Sequence, residues 1–153
     1  MGTDTWKGDP QASLICQSER MTETRRGALH HVELWVPDLP RALGEWGWLL
    51  RELGYQLNQD WPAGRSWILH GTYLVVEQSR AMTSDRHERL RPGLNHLALN
   101  AGTPQQLDDL MAEAPNRGWR PLFEEKYPHA GGPQHYAGYL ENSDGFEVEL
   151  VAD

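Results

Sequence analysis

The stretch that decides the fold is Leu-His-His-Val-Glu-Leu-Trp-Val-Pro-Asp at residues 29–38. Apolar residues recur there at every second position, which is typical of a strand with one buried face. The buried face would carry Val32, Leu34 and Val36. The opposite face would carry His31, Glu33 and Trp35, so that a metal-binding imidazole and a carboxylate share the less apolar side.

The same design returns at residues 94–99, Leu-Asn-His-Leu-Ala-Leu, where Leu97 and Leu99 alternate with His96. A predicted helix follows each of these two strands, and each helix ends at a glycine followed by an aromatic residue. These dipeptides are Gly54-Tyr55 and Gly118-Trp119. Each follows its strand histidine by nearly the same number of residues. Two copies of one structural unit explain this recurrence better than chance does.

Both predicted helices have recognisable start signals. Asp38 can cap a helix that begins near Pro40, and Thr103 can cap the second helix, with Gln106 at the capping-box position. The second helix should end by Gly118. The apolar stripe of the first helix comprises Leu39, Leu43, Trp46, Leu49, Leu50 and Leu53.

Three further strands are expected after each helix. They cover residues 55–59, 66–69 and 72–78 in module one, and residues 120–125, 135–141 and 146–151 in module two. We assign residues 28–78 to module one, 79–92 to a charged, aperiodic linker and 93–152 to module two, all within a single domain. The predicted fold class is α+β, with two βαβββ modules that form a curved, cupped mixed sheet with the helices outside.

The composition indicates one soluble globular domain, because 153 residues with 39% hydrophobic content can bury a single core. The formal net charge of −8 argues against a nucleic-acid partner, which needs a dense basic surface. Cys16 is the only cysteine, which excludes an intrachain disulfide. Residues 1–27 show neither helical nor strand period, and no segment predicts a signal-peptide core or a membrane span. We therefore expect a flexible N-terminal extension on a cytoplasmic protein.

Side-chain parity gives each module a histidine and a carboxylate on one face of its sheet. In the last strand of each module, Glu77 and Glu149 face away from the predicted helix. Together with the strand histidines they form a candidate metal set: His31, Glu77, His96 and Glu149. Imidazole and carboxylate donors suit a divalent first-row metal, and an ion that prefers six ligands keeps two positions for neighbouring oxygens of a substrate.

These motifs together resemble the vicinal oxygen chelate superfamily, which includes glyoxalases, epimerases, extradiol dioxygenases, and fosfomycin- and bleomycin-resistance proteins. The matching motifs are His-Val-Glu-Leu-x-Val-x-Asp-Leu at 31–39, Leu-Gly-Tyr at 53–55, the His96 strand, and Asp-Gly-x-x-x-Glu-Leu at 144–150. The resemblance covers about residues 28–152 and implies a two-module fold around a metal pocket. Its ligand positions fall, in chain order, on His31, Glu77, His96 and Glu149, with zinc, nickel, cobalt, manganese or iron as the metal.

The resemblance implies a metal-dependent lyase, isomerase or epimerase that acts on a small molecule, with Glu149 or Glu77 loosening from the metal to move a proton. An extradiol dioxygenase fits less well, because iron-based oxygen activation uses two histidines and one carboxylate, and Glu77 would crowd that site. The alternative is a non-catalytic protein that sequesters a drug or metabolite, as bleomycin-resistance proteins do. A homodimer is the family-level expectation.

Four further residues are predicted to contact the substrate. Trp35 offers a flat stacking face, and Glu33 shares its side of the sheet. Glu33, or Glu147 of module two, could instead serve as a base. His135 and Tyr136 follow a loop rich in glycine and proline, which could close over a pocket mouth.

Overall fold

The computed structural model describes residues 26–153, so the predicted extension lies outside the described residues except for its last two. Module one contains β1 (His31–Trp35), α1 (Leu39–Glu52), β2 (Gln56–Trp61), β3 (Gly64–Leu69) and β4 (Thr72–Glu77). Module two contains β5 (His96–Gly102), α2 (Pro104–Glu113), β6 (Arg120–Leu122), β7 (Ala137–Glu141) and β8 (Glu147–Ala152). Two short 3-10 helices, Ala114–Arg117 and Glu124–Lys126, flank β6.

Each module forms its own four-stranded mixed sheet. The strand order is β1-β4-β3-β2 in module one and β5-β8-β7-β6 in module two. In both sheets the first strand of the module runs parallel to the last, and the other neighbours are antiparallel. The predicted α+β class with two βαβββ modules is confirmed, and the two sheets are separate hydrogen-bonded units.

The helix start signals act as the sequence predicts. The Asp38 carboxylate accepts a hydrogen bond from the Arg41 backbone N–H at 3.1 Å, which satisfies one of the free donors at the start of α1. At α2, Thr103 Oγ1 accepts from the Gln106 N–H at 3.3 Å, and Gln106 Oε1 accepts from the Thr103 N–H at 2.8 Å. This reciprocal capping box fixes where α2 leaves β5.

Two strands of module two are shorter than the alternation predicts. β6 ends at Leu122 because Phe123 adopts a left-handed backbone with φ of 56°, which turns the chain into the second 3-10 helix. β7 begins at Ala137, so His135 and Tyr136 belong to the preceding loop. The loop from 127 to 136 can therefore direct these two side chains to different sides of the sheet.

One apolar core joins the two modules through α1. Trp46 of α1 packs edge to face against Trp119, with ring centroids 5.0 Å apart, and both indoles are buried. The Trp119 indole N–H donates to the Glu45 carbonyl at 3.2 Å, and the Glu45 carboxylate accepts from Asn142 Nδ2 at 3.1 Å. The helix-facing sides of both sheets are thus buried together. Within residues 26–153, no helix is long and apolar enough to cross a membrane.

Candidate functional site

The face of the module-one sheet that lies away from α1 carries His31, Glu33 and Trp35, which are all exposed, whereas Leu34 between them is buried. The Trp35 indole N–H donates to Glu33 Oε1 at 2.6 Å. The His31 ring stacks on Tyr73 with centroids 4.8 Å apart and planes 5° apart. This face is therefore an open aromatic surface, and it carries the carboxylates of Glu33 and Glu77.

In module two, His96 and Glu149 meet on the corresponding face. The distance from His96 Nε2 to Glu149 Oε2 is 3.2 Å. The other ring nitrogen of His96, Nδ1, lies 2.8 Å from Asn95 Oδ1, and Asn95 Nδ2 in turn donates to the Arg89 carbonyl at 3.0 Å. The bond to a carbonyl sets which way the Asn95 amide faces, so the imidazole is held between two oxygen acceptors.

The second oxygen of Glu149 is also engaged. His135 Nε2 lies 2.7 Å from Glu149 Oε1, and the Tyr139 hydroxyl donates to the same oxygen at 2.5 Å. Burial raises the pKa of Glu149, but the hydrogen bonds from Tyr139 and His135, with the charges of His135 and His96, outweigh it and leave the pKa below its ordinary value. Burial and the bond to Glu149 raise the pKa of Tyr139. Glu149 is thus held as a carboxylate.

Glu147 lies opposite His96 across β5 and β8, and it is only 4% exposed. Its Oε2 forms an ion pair with Arg89 Nη1 at 2.7 Å. Burial raises the pKa of Glu147, and the positive charges of Arg89 and His96 only partly offset this. A cavity of about 270 Å³ opens beside these groups, and its lining is Arg89, Asn95, His96, Phe123, Lys126, Ala130, Tyr139 and Glu147.

The strand registers show which positions of the two modules correspond. In module two, Ala98 lies two residues after His96 and pairs with Glu149. In module one, Glu33 lies two residues after His31 and pairs with Val75. Val75, and not Glu77, therefore occupies the position that corresponds to Glu149. Glu77 pairs with Trp35, four residues along β4 from the partner of His31, a separation of about 13 Å at the usual rise of a strand.

The predicted metal ligands are therefore brought together only in part. Within residues 26–153, no group of three or more His, Cys, Asp or Glu side chains is arranged to hold a metal ion. His96 and Glu149 are in contact, whereas His31 contacts His30 and Tyr73 on the other module. The pair offers the right donor types for a divalent metal, one imidazole nitrogen and one carboxylate oxygen.

The predicted substrate-binding residues separate in the same way. His135 joins the Glu149 cluster, but the Tyr136 hydroxyl donates to Asp108 Oδ1 of α2 at 3.0 Å and so turns away from it. Sequence reasoning missed Tyr139, whose cross-strand partner is Glu149. Side-chain parity along β7 could have put Tyr139 on the site face, but its pairing with Glu149 depends on the strand register.

The fold and the paired histidine and carboxylate define a two-module α+β protein of the βαβββ class. The sequence profile of the Glyoxalase/Bleomycin resistance protein/Dioxygenase superfamily matches residues 30–139, so the chain belongs to that superfamily. It is 42% identical over 125 residues to YqjT of Bacillus subtilis, an uncharacterized protein, with 81% of this chain and 98% of that protein covered.

Solved structures agree with this assignment. A crystal structure of a suggested glyoxalase from Bacillus halodurans is 41% identical, with a TM-score of 0.80 over 84% of this chain and 98% of that one. A glyoxalase/bleomycin resistance protein from Albidiferax ferrireducens is 19% identical, with a TM-score of 0.66 over 82% of this chain and 98% of that one. A fosfomycin resistance protein from Listeria monocytogenes, crystallised with Mn(II), is 17% identical with a TM-score of 0.58, covering 82% of this chain and 89% of that one. The last two similarities concern the fold alone.

Proposed function

We propose that this protein is a metal-dependent enzyme of the glyoxalase type, a lyase, isomerase or epimerase that acts on a small molecule with two neighbouring oxygens. The observation that supports this most directly is the 3.2 Å contact between His96 Nε2 and Glu149 Oε2 beside an open cavity. These are the histidine and carboxylate positions of module two that the superfamily resemblance assigns to metal ligands. When bound there, a divalent metal supplies Lewis-acid stabilisation of negative charge on a substrate oxygen.

The cavity favours a small, negatively charged substrate. Its volume of about 270 Å³ lies just below the range typical of drug-sized ligands. Arg89 and Lys126 both line it, and Phe123 adds an apolar surface at the same place. Arg89 is already paired with Glu147, so a carboxylate or enolate oxygen would bind mainly to Lys126 while the carbon skeleton contacts the phenyl ring.

Within the cavity we assign proton transfer to Glu147. Glu149 already accepts from Tyr139 and His135 and contacts His96, so little of its hydrogen-bonding capacity is free for a substrate proton. Glu147 borders the cavity directly and is held by the single ion pair with Arg89. This changes the role expected for Glu149 from a proton carrier to a fixed ligand.

We propose that a homodimer completes the metal site. His31 is exposed on the open face of module one, so module one of a second copy could bring this imidazole to the His96–Glu149 pair. Because Val75 stands at the position that corresponds to Glu149, module one brings no carboxylate level with His31, and Glu77 lies about 13 Å further along β4, too far to share one ion with His31. The resulting set would contain two histidines and the Glu149 carboxylate. This is the three-ligand set that extradiol dioxygenases use, so that class is then no longer disfavoured.

Metal analysis of the tag-free full chain tests the site. We expect a stoichiometric divalent metal in the wild-type protein and its loss in His96→Ala and Glu149→Gln, with retention in the control Tyr136→Phe. Dimerisation is tested by mixing His31→Ala with Glu149→Gln, because one of the two sites in a mixed dimer would then be intact. Random exchange makes about half of the dimers mixed, each with one intact site of two. Recovery of about a quarter of the wild-type metal on mixing therefore supports the shared site, and no recovery contradicts it.

Proton exchange tests the reaction. Metal-loaded protein in D₂O should exchange the α-proton of a compound from a panel of 2-oxo and 2-hydroxy acids, followed by proton NMR. Glu147→Gln should slow the exchange about 100-fold, the usual size of a general acid–base contribution. Exchange that Glu147→Gln leaves unchanged would contradict the assigned role.

The second candidate is a protein that sequesters a flat ligand without chemistry. It is favoured by the exposed Trp35, 44% accessible, and by the stacked His31 and Tyr73 on the same face. Tight binding of bleomycin by metal-free protein, lost in Trp35→Ala, would support this function. Weak binding, or binding that Trp35→Ala does not change, would count against it.

A further inference from the structure

The two oxygens of Glu149 have different surroundings. Oε1 accepts from the Tyr139 hydroxyl at 2.5 Å and lies 2.7 Å from His135 Nε2, whereas Oε2 faces only His96 among the described residues, at 3.2 Å. A carboxylate has about four lone-pair positions. Because two donors occupy the lone pairs of Oε1, the lone pairs that remain available for a metal are on Oε2, the oxygen beside the His96 imidazole.

The groups on Oε1 are held by the fold. Tyr139 is the direct cross-strand partner of Glu149 in the β7–β8 ladder, and its ring packs edge to face against Phe123 at 5.4 Å. His135 comes from the loop immediately before β7. A side chain at Gly131 would put a Cβ 2.4 Å from His135 Cδ2, so the space for this ring exists because residue 131 is glycine. The loop sequence and the His135 position are therefore matched.

We infer that His135 and Tyr139 are positioning residues that fix Glu149 through Oε1 and leave Oε2 as its single metal-binding oxygen. This inference rests on the proposed metal function and assigns to these two side chains a role that the superfamily motifs do not contain. Groups that hydrogen-bond a metal ligand orient it, and their loss typically weakens metal binding 10- to 100-fold. It also follows that Glu149 stays on the metal, since detaching it would break bonds on both oxygens.

The experiment is a titration of the metal-free full-length protein with Co²⁺, followed by its visible absorption spectrum. We expect Tyr139→Phe and His135→Leu each to weaken Co²⁺ binding at least 10-fold and to shift the absorption bands, because Glu149 becomes free to rotate or to bind through both oxygens. Tyr139→Phe keeps the ring that contacts Phe123, so a purely structural role of Tyr139 would leave the spectrum unchanged.

Two matched controls separate positioning from general damage to the loop. Tyr136→Phe removes a hydroxyl that donates to Asp108. His129→Leu alters a ring that contacts the His135 carbonyl and the Tyr136 ring and has no hydrogen bond to Glu149. Both should bind Co²⁺ within about twofold of wild type and give its spectrum. If His135→Leu does not fold, Gly131→Ala displaces the His135 ring by direct contact and should weaken Co²⁺ binding in the same way.

The outcomes distinguish the inference from the function on which it depends. Wild-type binding with unchanged affinity and spectrum in Tyr139→Phe and His135→Leu overturns the positioning role and leaves the metal function standing. Equal weakening in the two controls also overturns it, because the loop as a whole would then be responsible. Failure of the wild-type protein to bind Co²⁺, Zn²⁺, Ni²⁺, Mn²⁺ or Fe²⁺ overturns the proposed function and the positioning role together.

Discussion

Val75 and Glu149 occupy corresponding positions in the two modules: each lies on the last strand opposite the residue two places after the strand histidine. In module two this position carries a carboxylate that contacts His96, and in module one it carries a valine that is 7% exposed. The two modules therefore share the same strand pairing but carry different side chains at this position. Within the described residues, the pairing of the strand histidine with a carboxylate is present in module two only.

A carboxylate at position 75 should become stable only when a cation binds to it. Val75→Glu buries a charge at a site that now holds an apolar side chain, and we expect the metal-free variant to lose about 2 kcal/mol of unfolding free energy. If the site is shared between copies, saturating Zn²⁺ should recover part of this loss, because a ligand of the folded state stabilises it. Thermal unfolding with and without Zn²⁺ measures the difference. An equal loss in both conditions would contradict the proposed shared metal site.

The contact between Trp46 and Trp119 should carry much of the stability that joins the modules. Trp119 is 1% exposed and donates to the Glu45 carbonyl, so Trp119→Ala removes a large buried ring and a hydrogen bond. We expect a loss of about 4 kcal/mol, measured by urea unfolding. Trp35→Phe, at an exposed position, is the control and should change the unfolding free energy by less than about 0.5 kcal/mol. A small effect of Trp119→Ala would mean that the modules are stable independently.

The raised pKa of Glu45 should make the folded protein less stable as pH rises and Glu45 loses its proton. Burial raises the pKa of Glu45, although the hydrogen bond from Ser143 opposes this. Between the ordinary glutamate pKa of about 4.3 and the raised value, the folded state binds more protons than the unfolded state, so the contribution of Glu45 is present at low pH and is lost as pH rises through that window. Glu45→Gln should flatten this part of the curve of unfolding free energy against pH. Asp144, whose pKa burial also raises, is present in both proteins, so parallel curves would contradict the prediction.

The junction between β5 and α2 should depend on two neighbouring residues. Thr103→Ala removes one half of the capping box and should cost about 1 kcal/mol. Gly102→Ala should cost about 2 kcal/mol, because its φ is +82° and a Cβ would lie 2.3 Å from Gln106 Oε1. Gly44→Ala is the control, since a Cβ there meets nothing within 4 Å and alanine favours a helix. Urea unfolding of the three variants gives the order; a Gly102→Ala protein as stable as wild type would contradict it.

Much of the fold follows from local sequence signals. The alternation around His31 and His96 predicts two strands with one apolar face each, and the caps at Asp38 and Thr103 predict where the helices begin. Each of these signals depends on a few neighbouring residues, so it can be recognised in the sequence without the tertiary structure. The pattern fails at two strand ends: β6 stops early at the left-handed φ of Phe123, and β7 begins only at Ala137.

The sequence by itself determined the two-module repeat, the side of each sheet on which the histidines lie, and the presence of His96 and Glu149 on one face. Only the tertiary structure decided that Val75 rather than Glu77 corresponds to Glu149, and that His135 and Tyr139 converge on one of its oxygens. The physical reason is that side chains alternate along a strand with a period of two, so alternation alone cannot distinguish position 75 from position 77. That choice is made by hydrogen-bonded pairing between strands that are far apart in the chain.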